Sequence, residues 1–285
     1  MDQRIINLFD EYTHRPLRRD EFLKRLASLT GSVATAMAML PLLEVNYAQA
    51  ATVTDQDDRI RTESVTFPGA DTTMKGYLAR PTAPGKYPAV VVIHENRGLN
   101  PHLEDVARRV ALAGFVALAP DALSASGGTP TDEAVMRDLF GKLDPTVTRN
   151  NFVKAVEYLK NRPDSTGKVG CVGFCWGGAM SNQLAIHVPD LKAAVPFYGR
   201  QPDAADVPKI KAAVQLHYGG LDERVNAGIP AYEEALKKAG VPYELFVYEG
   251  AQHAFYNDTA PTRYNEAAAK LAWERTITFL KQTLA

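Results

Sequence analysis

Residues Ala89-Val90-Val91-Val92-Ile93 form an apolar run dominated by β-branched side chains. Side chains on a strand point alternately to opposite faces, so a run with no polar position must be covered on both. That predicts a central strand in a mostly parallel sheet with helices on either side. Comparable runs recur at 115–121, 168–172, 191–199, 212–219 and 243–248, with helical patterns at 132–143, 147–161, 229–239 and 263–281 among and after them. A helix from Asn100 to Leu112 carries its own punctuation: Asn100 as cap, Pro101 at the first position and Gly114 after the end. Residues 64–67 and 75–80 alternate like half-buried antiparallel strands. The chain therefore reads as α/β, with strands and helices in alternation.

At 285 residues, 46% of them hydrophobic, the chain suits one large α/β domain, residues 51–285, with an N-terminal extension, residues 1–50. The net charge is −1 and no long basic run occurs, which weighs against a nucleic-acid partner. The only cysteines are Cys171, within a strand, and Cys175, at its end; a bridge between them would bend that strand, so both are expected free.

The extension admits two readings. Helical patterns at 5–9 and 19–26 lead into an Ala-rich apolar stretch from Leu26 to Leu43, then Ala48-Gln49-Ala50. Arg18-Arg19 ahead of Phe22-Leu23-Lys24, the apolar stretch and the A-x-A site resemble a twin-arginine export signal, which would send the protein to the periplasm through segment 18–50. The register is imperfect, because Asp20 falls where the second arginine belongs. The other reading is a retained helical arm that packs on the domain or forms a homodimer, in a cytoplasmic protein. No membrane partner is expected.

The chemistry gathers around Gly173-Phe174-Cys175-Trp176-Gly177-Gly178, between an apolar strand and a helical stretch. A strand passing through a tight Gly-x-Cys-x-Gly turn into a helix holds a nucleophile in a strained conformation, and bulky neighbours would collide there. The helix N-terminus favours thiolate over thiol. In open α/β sheets reactive groups collect at the carboxyl ends of strands. Asp222 and His253 each fall just past a later strand. His253 would exchange the proton of Cys175, and Asp222 would fix the imidazole tautomer.

The order nucleophile, acid, histidine is that of the α/β-hydrolases. From residue 62 onward the chain resembles the dienelactone hydrolase (carboxymethylenebutenolidase-like) family of that fold. The motifs that carry the resemblance are His94-Glu95-Asn96-Arg97-Gly98-Leu99, the elbow, Gly220-Leu221-Asp222-Glu223-Arg224-Val225 and Gly250-Ala251-Gln252-His253-Ala254-Phe255. The resemblance implies a Cys175–His253–Asp222 triad. It also implies that Glu95 lies near the thiol, holding the resting cysteine neutral until substrate displaces the carboxylate. Backbone N–H groups of Asn96 and Trp176 are the expected oxyanion donors.

One departure concerns substrate. Dienelactone hydrolases have an arginine a few residues beyond the histidine, whereas 253–258 holds none and offers Asn257. A neutral amide lacks the bidentate cationic fork, so a different lactone or ester is expected. Arg97, Phe140, Tyr198, Arg200 and Asn257 are the candidate pocket residues; Arg137 has no secure match to a second family arginine. His94-Glu95 lacks the second histidine of a zinc-protease helix, and His14, His102, His187 and His217 show no ligand spacing. No metal or organic cofactor is expected. The function so read is cysteine-dependent hydrolysis of a small ester or lactone through a thioester. The alternative is a non-catalytic binding or thiol-sensing protein on the same scaffold.

Overall fold

The computed structural model describes residues 1–15, 17–44 and 52–285. Eight strands form one sheet in the order β1-β2-β4-β3-β5-β6-β7-β8, with β1 (Ile60–Pro68), β2 (Thr73–Pro81), β3 (Tyr87–Ile93), β4 (Val116–Pro120), β5 (Ser165–Phe174), β6 (Ala193–Phe197), β7 (Ala213–Gly219) and β8 (Tyr243–Tyr248). The β1–β2 and β2–β4 pairs are antiparallel, and the pairs from β4 through β3 to β8 are parallel.

The apolar run at 89–93 lies in β3, and its alternation is visible in the packing. Ala89, Val91 and Ile93 enter one core layer, with Phe152 and Leu159 of α6 (Pro145–Lys160), Leu184 of α7 (Trp176–His187) and Leu236 of α9 (Ile229–Ala239). Val90 and Val92 enter the other, against Leu103 and Val110 of α4 (Pro101–Leu112) and Leu280 of α10 (Glu266–Leu284). The Asn100 side chain caps α4 by accepting from the N–H groups of His102 (3.1 Å) and Leu103 (3.3 Å). The remaining helices of the domain are α5 (Glu133–Gly141) and the four-residue α8 (Glu223–Asn226).

The extension is helical: α1 (Gln3–His14), α2 (Arg19–Thr30) and α3 (Val33–Leu43). The apolar stretch from Leu26 to Leu43 is not one helix. Gly31 takes a left-handed φ of 83°, ends α2, and Ser32 caps α3, which leaves at 108° to α2. Ile5, Leu8, Phe9, Phe22, Leu26 and Leu43 make a small core of their own. No single described helix is long and apolar enough to cross a membrane; only the bent pair α2–α3 has that length and composition.

The arm docks on its own domain. Gln3 exchanges side-chain hydrogen bonds with Gln252, Arg224 Nε donates to Asp10 at 3.0 Å, and Asn96 Nδ2 donates to the Thr13 carbonyl at 2.8 Å. The A-x-A site at Ala48–Ala50 and the boundary after residue 50 lie outside the described residues.

Candidate active site

β5 ends at Phe174 and α7 begins at Trp176, so Cys175 alone makes the turn, at φ 55° and ψ −111°. A non-glycine residue holds such a conformation only when its surroundings impose it. Here the Cys175 N–H donates to the Phe197 carbonyl at 3.0 Å, and the backbones on either side touch. A Cβ on Gly173 would lie 2.0 Å from the Gly177 carbonyl oxygen, and one on Gly177 would lie 2.3 Å from that of Ile93. Glycine at both positions is thus a steric requirement.

Asp222 caps α8, its Oδ1 accepting from the Val225 N–H at 3.2 Å. Its Oδ2 lies 2.5 Å from Nδ1 of His253, which follows β8 and precedes Ala254 at φ 61°. That contact leaves Nε2 of His253 directed inward. It is buried and has no hydrogen-bond partner among the described residues.

The thiol is engaged by another histidine. His14, the last residue of α1, places Nε2 3.0 Å from Cys175 Sγ. Its Nδ1 lies 2.8 Å from the Asp10 carbonyl oxygen and 3.1 Å from the Asp10 carboxylate. The Thr13 hydroxyl also lies 3.0 Å from Nδ1, but the Asp10 oxygens can only accept, so Nδ1 carries hydrogen and Nε2 faces the sulfur. The two imidazoles meet edge to face with centroids 4.7 Å apart. Burial opposes the charged form of His14, but the Cys175 sulfur and Asp10 outweigh it and push its pKa up to about 9. Burial likewise works against a charged Asp10; His253, His14 and Arg224 prevail and hold its carboxyl far below the usual range.

Glu95 is buried and hydrogen-bonded to neutral groups: Asn257 Nδ2 donates to Oε2 at 2.8 Å and the Tyr198 hydroxyl to Oε1 at 3.4 Å. No hydrogen bond joins Glu95 to Cys175 among the described residues. The backbone N–H groups of Asn96 and Trp176 have no acceptor among the described residues.

A cavity of about 820 Å³ opens over the sulfur, and His14, Asn96, Phe140, Trp176, Tyr198, Arg200 and His253 help line it. Two expected pocket residues lie elsewhere. Arg97 pairs with Glu133 at 2.6 Å and faces the arm, and Asn257 is committed to Glu95. Arg137, Arg149 and Arg224 reach the cavity as well. Arg137 lies over the Tyr12 ring and Arg224 pairs with Asp10, while Arg149 and Arg200 make no ion pair among the described residues.

The sequence reading missed the arm's part in this site. Asp10 and His14 stand four apart, on one helix face, and that spacing was the only local sign. It also missed Arg263, buried beside the arm over the Phe9 ring, with Nε unpartnered among the described residues.

His14, Cys175 and His253 present one donor atom each within 4.8 Å of one another, a thiolate-and-imidazole set that a zinc ion would accept. His94, in contrast, is a structural group. The Ala122 N–H donates to its Nε2 at 3.1 Å, Nδ1 lies 2.6 Å from the Glu95 carbonyl, and burial lowers its pKa. Cys171 is buried, which pushes its thiol up to about 12.

Comparison with known proteins gives a consistent picture. The sequence profile of the dienelactone hydrolase family matches residues 74–284. A Methylorubrum extorquens protein, provisionally named a carboxymethylenebutenolidase, is 32% identical over 94% of this chain and 96% of its own. A crystal structure from Klebsiella pneumoniae, provisionally named a dienelactone hydrolase, superposes with a TM-score of 0.72 at 28% identity, over 78% of this chain and 99% of that one. A dienelactone hydrolase-like promiscuous phosphotriesterase from metagenomic libraries gives 0.70 at 26%, over 80% and 100%. With the elbow, the sheet order and these matches together, the chain belongs to the dienelactone hydrolase family of α/β-hydrolases.

Proposed function

We propose that the protein hydrolyses a small carboxylic ester or lactone, with Cys175 as nucleophile and His253–Asp222 as an acid–base pair. The observation that carries this reading is the position of Cys175 Sγ: at a strained strand-to-helix turn, on a cavity, within 4.8 Å of an imidazole whose far nitrogen is held by a buried carboxylate. Cys175 attacks the carbonyl carbon, the N–H groups of Asn96 and Trp176 hold the oxyanion, and the alkoxide leaves. Water, deprotonated at His253, then cleaves the thioester and regenerates the thiol.

Arg149 and Arg200 at the cavity support an ester or lactone that carries an anionic group. Their place differs from that of the family arginine missing near Asn257, which supports a substrate other than a dienelactone. The arm's contacts at the site support residues 1–50 being retained where the enzyme works, in keeping with a cytoplasmic location.

Turnover of p-nitrophenyl acetate and of enol lactones, with and without a carboxylate, tests the reading in wild type and Cys175→Ala. Activity should vanish in the variant. Undiminished turnover would remove Cys175 as nucleophile, and stoichiometric alkylation with no turnover on the whole panel would favour a thiol sensor.

A further inference from the structure

The Nε2 atom of His14 is the hydrogen-bond partner of Cys175, although 161 residues separate them. The contact belongs to a docked helix and is more than a side chain lying over a pocket. Asp10 is anchored by Arg224 of α8, Thr13 by the Asn96 side chain, and Gln3 by Gln252. His14 itself is oriented through Nδ1 by Asp10. The thiol therefore stands between two imidazoles, each with a carboxylate on its far side: His253 with Asp222, and His14 with Asp10.

We propose that His14 is a catalytic residue, the group that takes the proton of Cys175 and returns it to the leaving alkoxide, so that the N-terminal arm completes the active site. The proposal rests on Cys175 being the nucleophile. The S–H proton moves to His14 Nε2, giving thiolate and imidazolium. Thiolate adds to the carbonyl; the tetrahedral adduct expels alkoxide, which takes the His14 proton and leaves as alcohol. His253 then removes a proton from water. Hydroxide cleaves the thioester to the acid, and the departing thiolate recovers the proton from His253.

Two observations favour this division over a single histidine serving both halves. Nε2 of His253 is buried with no hydrogen-bond partner among the described residues, while the sulfur is already hydrogen-bonded to His14. The two rings stand edge to face at 4.7 Å, with a nitrogen of each within 4.8 Å of the sulfur, so two imidazoles reach the site where one would have to serve both halves. The charged and titratable groups that surround His14 are Asp10 on its own helix, Cys175 on the elbow, His253 after β8, Arg224 on α8 and Arg263 after β8.

The test is the rate of iodoacetamide alkylation at Cys175 from pH 5 to 10, beside the burst and steady state with p-nitrophenyl acetate. It compares wild type, His14→Gln, Asp10→Asn, His253→Gln and Cys175→Ala. His14→Gln should alkylate about tenfold more slowly at neutral pH, the change in thiolate fraction that one pKa unit brings. Its profile should move toward that of an ordinary thiol, and added imidazole should restore part of the burst. His253→Gln should keep the wild-type alkylation profile, give a burst and then stall. An unchanged alkylation profile in His14→Gln would overturn the proposal, and so would faster alkylation and turnover, which would make the arm a shield. Asp10→Asn, which keeps the imidazole, should shift the profile the same way by less, and decides the matter should His14→Gln not fold. Loss of turnover in Cys175→Ala with no effect of either arm variant would overturn the role of His14 and leave the nucleophile standing.

Discussion

Asn257 donates its amide hydrogen to Glu95 Oε2 at 2.8 Å, with both side chains almost wholly buried. This amide therefore serves a carboxylate of the protein. Asn257 Oδ1 accepts from the Thr259 N–H at 3.0 Å and from its hydroxyl, so both ends of the side chain are used. Asn257→Leu should strand a buried carboxylate oxygen and cost about 1–3 kcal/mol. Urea unfolding checks the stability. KM for a carboxylate-bearing ester should not change, since Asn257 does not reach the cavity.

Arg200 reaches the cavity without an ion-pair partner among the described residues. Arg200→Ala should raise KM for anionic esters and leave neutral esters unaffected; a charge-assisted contact of this kind corresponds to about 1.5–3 kcal/mol, or roughly ten- to hundredfold. Paired kinetics on acetate and hemisuccinate esters of one phenol measure the difference. Equal effects on both would place the substrate's charge elsewhere.

Gly177→Ala puts a methyl group where the Ile93 carbonyl oxygen already is. Backbone cannot turn aside as a side chain would. We expect about 3 kcal/mol of destabilisation or failure to fold, at the upper end of overpacking costs. Gly114→Ala is a useful control for strain without collision, because space is open there although φ is 99°. A thermal melt of both variants separates the two effects.

Two histidines give stability opposite dependences on pH. Burial among Tyr248, Gln215 and Thr276 lowers His217 to about 3, so its neutral form belongs to the fold. The unfolded chain binds the extra proton below about 6.5, so stability is lost as pH falls from there toward 3. His14 is raised, so what its pairing contributes is complete below about 6.5 and lost as pH rises through about 9. Unfolding midpoints should fall on the acid side, less steeply in His217→Gln. Hydrogen exchange in α1 should quicken above pH 9 while β3 stays protected.

Zinc should compete with catalysis. Two imidazole nitrogens and one sulfur within 4.8 Å need only a small closure to bind an ion, and a coordinated thiolate no longer attacks a carbonyl. Turnover should fall with added zinc and return with a chelator. The inhibition should weaken strongly in His14→Gln, which loses one ligand. Equal sensitivity in the two proteins would mean that zinc inhibits at another place.

Much of this was legible because local chemistry forces it. A β-branched run such as β3 has few alternatives to burial on both faces, Asn100-Pro101 ahead of an apolar-periodic stretch supplies both the cap and the first residue of a helix, and glycines two residues either side of Cys175 report a crowded turn. Asp222 and His253 were found because strand ends are marked by the strands themselves. His14 left no such mark. Its meaning depends on where a whole helix docks, which is set by dispersed contacts such as Gln3 with Gln252 and Asp10 with Arg224. Arg97 was misplaced for a similar reason: the loop end was readable, but the choice between the cavity and Glu133 was not. The break at Gly31 lay inside a stretch that reads as one apolar segment, and only the left-handed turn divides it.

The groups around the sulfur come from the first helix, the middle of the chain and the loop after the last strand. A ribosome releases those pieces in that order, so a growing chain holds Cys175 long before it holds His253. Nor does the early helix have its anchors Arg224 and Gln252 until late in synthesis. Partial products and C-terminal truncations therefore carry the sulfur without its two imidazoles, which gather around it only once the first helix and the loop after β8 are both in place.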